Sequence, residues 1–310
     1  MFNGFKAMAQ GEDHRGKSLP CQDAVHYEAY KNYGIAIVAD GHGSERHFRS
    51  QYGSQIAVKV GRAGIFKFQE FLATEKKKLE EKSESAQRSC MEDQLNQLER
   101  FIITRWRQEV IKHFSENSLT DQENDICHGL NLDMVDENNQ VCAYGTTLIA
   151  AMIKSGVWFV IQIGDGKSVV LDAEGNVSFA VDEDERLGFG KTTSLCDVYA
   201  KENFRHSFDF CEIKGITVAT DGVSDSFIPE AYLEFHRRLY TDFCNDPEIA
   251  REGVTKGVAA WSLKGSRDDV AMAGIFVVPG LGSVLGRIIR EKLSLMTNSL
   301  QKKSGDFHAG

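Results

Sequence analysis

The chain has 310 residues, 42% of them hydrophobic, with 28 glycines against 4 prolines; it can bury a sizeable core, and a disordered or fibrous chain is excluded. Acids outnumber bases 45 to 36, a formal charge of −9, which argues against general nucleic-acid binding because a phosphate backbone demands positive surface. No stretch reaches the ~18 uninterrupted apolar residues of a membrane span, and residues 1–10 lack a charged-then-apolar leader.

The first strong signal is an apolar run over residues 33–39 that ends in Asp40-Gly41-His42-Gly43. This pattern predicts a buried strand delivering a carboxylate onto a close-approach loop. Phe48, Tyr52, Ile56 and Val60 recur at a spacing of four and predict an amphipathic helix. Leu95, Leu98, Ile102, Trp106, Val110 and Phe114 predict a second. Residues 74–93 between them are dense in Lys, Glu and Ser and read as a charged insertion, either a solvated helical extension or an exposed loop. Residues 115–140 are polar and aperiodic, and read as a long surface connection.

Residues 144–153 and 157–163 flank Lys154-Ser155-Gly156 as one predicted hairpin, and residues 168–172 and 177–181 form another. Residues 182–203 follow as a loop or flap. A strand over 215–220 then leads into Asp221, and helices are predicted over 229–243 and 247–263. Both helices open on a proline, which a first turn tolerates. A strand over 270–278 follows Asp268 and Asp269. From Ser283 onward, Leu285, Ile289, Leu293, Met296 and Leu300 share one face of a basic amphipathic helix. The reading is one domain over 1–280 with a C-terminal helix and tail over 281–310. Hairpins imply antiparallel pairing, and helix pairs between runs of strands imply layers over a sheet sandwich.

Four predicted strands carry an acid at one end: Asp40, Asp165, Asp221 and Asp268. One such acid is ordinary; four make a cluster of hard oxygen ligands the reason for the pattern. The seven cysteines form no Cys-x-x-Cys pair and have no histidine at zinc-finger spacing, so they read as reduced thiols of a cytoplasmic protein. Carboxylate, carbonyl and water ligands select Mg²⁺ or Mn²⁺, and the lack of clustered His or Cys speaks against zinc.

Cys21-Gln22-Asp23-Ala24, Asp40-Gly41-His42-Gly43, Gly145-Thr146-Thr147, Gly164-Asp165-Gly166, Asp221-Gly222-Val223-Ser224-Asp225 and Ser266-Arg267-Asp268-Asp269 follow one another over residues 10–278. In that order they resemble the motifs of metal-dependent serine/threonine protein phosphatases, the type 2C family in its bacterial form. The resemblance implies an α+β fold: a four-layer α-β-β-α sandwich of two mostly antiparallel sheets flanked by helix pairs, with metals at one end of the sheets. It implies two Mn²⁺ or Mg²⁺ ions, with Asp40 bridging, the Gly41 carbonyl on one ion, and Asp221 and Asp268 on the other. Asp23 contributes to the same shell, and Asp165 and Asp225 match a third, weaker ion, although Asp165 between two glycines also reads as a plain turn residue.

Implied with the fold is hydrolysis of phosphoserine and phosphothreonine monoesters by an activated water, with phosphoproteins as substrates, a serine/threonine kinase as counterpart and a monomeric state. His42 is the natural general acid for the leaving oxygen. Substrate phosphate calls for a basic side chain before Asp23: Arg15 offers a bidentate fork and Lys17 a point charge. Gln22 stands where many members carry Glu, Lys167 where Arg is frequent, and Asp269 where Asn is frequent. The rival readings are a catalytically weak binding or regulatory module, motivated by Gln22, and a metal-dependent phosphodiesterase, which the acidic balance disfavours.

Overall fold

The computed structural model describes residues 1–182 and 192–278. In chain order these form β1 (Phe2–Ala9), α1 (Glu12–Gly16), β2 (Ala24–Ala29), β3 (Tyr33–Ala39), α2 (Ser50–Glu80), α3 (Glu84–Glu116), α4 (Asp121–Gly129), α5 (Glu137–Cys142), β4 (Leu148–Lys154), β5 (Val157–Ile163), β6 (Lys167–Asp172), β7 (Val177–Phe179), α6 (Ala200–Asn203), β8 (Arg205–Asp209), β9 (Ile213–Ala219), α7 (Asp221–Ser224), α8 (Pro229–Asn245), α9 (Pro247–Lys264) and β10 (Val270–Val277). Of the loop or flap expected over 182–203, residues 183–191 lie outside the described residues and the last part forms α6; the helix expected from Ser283 also lies outside the described residues.

Two five-stranded sheets carry the molecule, in the orders β1-β10-β9-β6-β7 and β2-β3-β4-β5-β8. Every strand pairing is antiparallel. The central strands are apolar at nearly every position because both of their faces are covered. In β3, Ile35, Ile37 and Ala39 face the helices α2 and α3, while Ala36 and Val38 face the other sheet. β4 alternates likewise, with Leu148, Ala150 and Met152 against Ile149, Ala151 and Ile153. In β10, Val270, Met272 and Phe276 meet α8 and α9, and Ala271, Ala273 and Ile275 fill the space between the sheets. The layers are therefore helix, sheet, sheet, helix, as expected.

Three strands escaped the reading by pattern. β1, β2 and β8 mix polar and apolar residues, and β2 and β8 are half-buried edge strands whose alternation is weak. Residues 115–140 are not a bare connection: they contain α4, closed by a Thr120–Glu123 capping box, and most of α5. The charged stretch 74–93 is helical, ending α2 and beginning α3 around Ser83, whose hydroxyl caps α3. Part of its charge is used rather than solvated. Arg88 pairs with Asp209 at 2.6 Å and Glu92 with His206 at 2.8 Å, which covers the exposed edge of β8.

Candidate active site

Register brings the acids to one edge of the sandwich. Ala24 pairs with Ala39, Leu148 with Ile163 and Met272 with Ala219. Asp23, Asp40, Asp165, Asp221 and Asp268 all lie just beyond these ends of their strands. Carboxylate oxygens of Asp40, Asp165 and Asp221 come within 4.8 Å of one another. Together with Asp268, His42 and Gly43 they line a cavity of about 590 Å³.

The Gly145-Thr146-Thr147 motif works beneath this edge. Thr146 Oγ1 and the Thr147 amide both donate to the Asp40 carbonyl, at 2.7 and 2.8 Å, and the Asp40 amide donates to Thr147 Oγ1 at 3.0 Å. The backbone that presents the Asp40 carboxylate is thereby fixed. Gly41 forms an isolated bridge to Thr146. Gly164 adopts φ +106°, and a Cβ there would meet the Thr147 side chain at 2.5 Å. Glycine lets this turn pass and sets Asp165 beside Asp40, so Asp165 is a turn residue and a member of the cluster at once.

Burial, and then the charges of Asp23 and Asp221, push the Asp40 carboxyl well above the usual carboxylate range. Burial and Asp165 do the same to Asp221. Asp23 is raised by burial against the pull of its hydrogen bond from Thr220 Oγ1, at 2.7 Å to Oδ2. Its other oxygen, Oδ1, is buried without a hydrogen-bond partner, as is Oε1 of Gln22. An unsatisfied buried oxygen costs about 1–3 kcal/mol. Repelling carboxylates with orphaned oxygens alongside fit a hard divalent cation, whose charge and coordination demand offset both penalties.

His42 reaches the same cavity, its amide donating to the Gly145 carbonyl at 3.1 Å. Its ring lies 4.9 Å from that of His47, and burial, then the His47 charge, push its imidazole down to about 3. Asp225, one turn after Asp221, lines an adjoining cavity of about 240 Å³ with Asp165, Lys167 and Arg205. Burial and Asp165 raise it. Arg15 and Lys17 are exposed and line neither cavity; Arg15 sits 3.8 Å from Glu12.

Asp269 belongs to a motif read in the sequence, but its contacts there, with His14 among others, carried no signal. Asp269 accepts from the Gly11 amide at 2.7 Å, the Gln22 amide at 2.6 Å and His14 Nδ1 at 2.8 Å. Burial opposes its charge, but these donors hold its carboxyl below the usual range. It is the clasp that ties the N-terminal segment and β2 to β10. His14 Nε2 lies 3.9 Å from Asp268, beside the cavity. The expectation that histidine and cysteine do not cluster is corrected by the fold: His47, Cys142 and Cys196 bring their ligand atoms within 4.8 Å of one another. Their wide sequence separation matches no metal-binding spacing, so only the fold reveals them. A hydrogen bond with Cys196, and then the His47 ring, hold the Cys142 thiol below the usual thiol range despite its burial.

The fold is an α+β sandwich of two antiparallel sheets with a carboxylate cluster at one end. The chain belongs to the protein phosphatase 2C family, whose model matches residues 10–258. Among solved structures it is similar to serine-threonine phosphatase 2C from Toxoplasma gondii, with TM-score 0.53 and 13% identity over 89% of this chain and 94% of that one. It is similar to PppA of Pseudomonas aeruginosa, described as a regulatory component of T6SS, with TM-score 0.51 and 15% identity over 89% and 97%. The catalytic domain of the serine threonine protein phosphatase PstP, solved with two manganese ions, gives TM-score 0.51 and 15% identity over 90% and 99%. At these identities the likeness is one of fold. No curated protein matches the chain. No helix among the described residues is long and apolar enough to cross a membrane.

Proposed function

We propose that this chain is a Mn²⁺- or Mg²⁺-dependent phosphatase that hydrolyses phosphoserine and phosphothreonine in proteins, in the cytoplasm and opposite a serine/threonine kinase. The observation that supports this most is the convergence of Asp40, Asp165 and Asp221 on one cavity, beside the orphaned Asp23 Oδ1. In this reading Asp40 would be shared between two ions, the Gly41 carbonyl would serve one, and Asp221 and Asp268 the other, with Asp23 supporting them. Asp165 and Asp225 are the pair for a third. Bound ions supply positive charge against the phosphoryl group and lower the pKa of water.

The chain's own groups do the rest. Thr146 and Thr147 hold the Asp40 backbone so that its carboxylate does not reorient during turnover. His42 serves the leaving oxygen. Burial disfavours its imidazolium, and the phosphoryl dianion of a bound substrate favours it. Arg15, exposed on α1, meets the incoming phosphoprotein, with Lys17 next to it in the same role.

The test is hydrolysis of a phosphothreonine peptide and of an aryl phosphodiester, each with Mn²⁺ and with chelator. Monoester turnover that requires the metal is expected. Preference for the diester would favour the phosphodiesterase reading, and metal binding without turnover would favour a regulatory module.

A further inference from the structure

A second set of ligand atoms borders the acidic cavity, and its chemistry is different. A ring nitrogen of His47 and the thiols of Cys142 and Cys196 lie within 4.8 Å of one another, with His47 Nδ1 at 3.8 Å from Cys142 Sγ. All three thiol and imidazole groups are partly buried, and none of the cysteines is in a disulfide. They come from three distant segments: the 3₁₀ turn Glu45–His47, the end of α5, and the loop before α6. Hydrogen bonds knit these segments together. The Arg49 amide donates to the Ala143 carbonyl at 2.8 Å, the Leu195 amide to the Thr146 carbonyl at 2.9 Å, and the Thr146 amide to Ser194 Oγ at 3.1 Å. The three segments are therefore joined before any ion arrives; the ion displaces the 2.5 Å hydrogen bond of His47 Nδ1 with the Cys142 carbonyl or takes the other ring nitrogen. Arg46 Nε donates to Cys142 Sγ at 3.1 Å, which favours the thiolate, the form that ligates metal.

We propose that His47, Cys142 and Cys196 bind a thiophilic divalent cation of the zinc class at the rim of the acidic cavity. Bond lengths of about 2.3 Å to sulfur and about 2.0–2.1 Å to nitrogen set tetrahedral ligand atoms roughly 3.5–3.8 Å apart, and small side-chain adjustments bring this trio there. Because His47 and Cys196 also line the large cavity, the fourth coordination position opens onto it. Any thiol still protonated gives its proton to solvent as it binds. Ligand softness sorts the two sites: oxygen ligands for Mg²⁺ or Mn²⁺, sulfur and nitrogen for zinc. The inference does not depend on the phosphatase reading.

Cobalt(II) is the probe, added to the reduced full chain with Mg²⁺ in excess to occupy the carboxylates. One equivalent should give thiolate-to-cobalt charge-transfer absorption that Zn²⁺ abolishes by displacement. Cys142→Ser and Cys196→Ser should each weaken binding by more than the ~10–100-fold that loss of an outer partner costs, while Cys90→Ser leaves it unchanged. Should a serine variant fail to fold, alkylation of the wild-type chain supplies the same answer, since Zn²⁺ should shield Cys142 and Cys196 but not Cys90 or Cys211. No charge-transfer band, a band that survives both serine substitutions, or no zinc shielding would overturn the site. So would a Cys142–Cys196 disulfide whose reduction restores no cobalt binding, which would make the pair redox-active instead.

Discussion

Asp40 and Asp221 are held in a state that costs the fold something. Their carboxyls are raised by burial first, then Asp40 by the charge of Asp23 and Asp221 by that of Asp165, so at neutral pH, with metal removed, their charge opposes folding. That opposition is complete above their folded pKa values and fades as pH falls toward the unfolded value of about 3.9, so chelated protein should gain stability on mild acidification. Asp40→Asn and Asp221→Asn should raise the melting temperature of chelated protein by about 2 °C or more, yet lower turnover by several orders of magnitude. Mn²⁺ should stabilise the wild type and neither variant in a thermal melt; a variant that melts lower with chelator, or keeps Mn²⁺-dependent turnover, would contradict the proposed ligand set. His42 is tested by leaving group. A seryl or threonyl alkoxide needs a proton and a nitrophenolate does not, so His42→Gln should slow phosphothreonine-peptide hydrolysis by ~10²–10⁴-fold and aryl-phosphate hydrolysis far less. Equal losses on the two substrates would mean that the ring only shapes the loop beside His47.

At the scale of elements, what could be read was mainly what the core patterns, with the edge strand β7 added by the turn before it. β3, β4, β5, β9 and β10 announce themselves as apolar runs, and the stripes of α2, α3, α8 and α9 as helical periods, because the core imposes those patterns. Edge strands and short helices obey local rules that periodicity does not register, which is why β2, β8, α4 and α5 were missed. α4 is the instructive case. It is held by Glu123, which closes its capping box with Thr120 and also receives the Arg49 guanidinium at 2.6 and 2.9 Å. Arg49 is 3% exposed and further donates to the carbonyls of Asn117 and Ser118 and to the Tyr144 hydroxyl. It immediately follows the loop that carries His42 and His47, so this pair braces the cavity from behind. Glu123→Ala should strand a buried cation and open one half of the capping box, costing about 3–5 kcal/mol in denaturant unfolding. Glu123→Gln, which keeps an acceptor and the cap geometry, should cost visibly less; equal and small losses in both would show that the pair contributes little.

Across the whole molecule, Asp40, Asp165, Asp221 and Asp268 were legible because each sits at the abrupt end of an apolar run, and an antiparallel register then has to gather those ends at one edge. Interactions between chain segments with no shared pattern were not legible: the Asp269 clasp, the His47, Cys142 and Cys196 trio, and the polar bridge between α3, α6 and β8. That bridge centres on Glu99, which is fully buried. One of its oxygens meets His206 Nδ1 at 2.7 Å and the other Lys201 Nζ at 2.8 Å, while His206 Nε2 meets Glu92 at 2.8 Å. It locks the helical layer to the edge of one sheet and spans the chain from residue 92 to residue 206. The hydrogen bond with Glu99 is the main reason the His206 imidazole is raised above its ordinary value, burial being the opposing influence. Between the unfolded value of about 6.5 and the higher folded one, the folded chain keeps a proton that the unfolded chain has lost, so this contribution is full below about pH 6.5 and disappears as pH climbs through the folded value. Wild-type stability, measured by urea unfolding with Mg²⁺ present to hold the acidic edge constant, should fall over that window. His206→Gln should be less stable at pH 6 and show a flatter profile above it. A variant whose profile runs parallel to the wild type throughout would mean that His206 is not protonated in the folded protein.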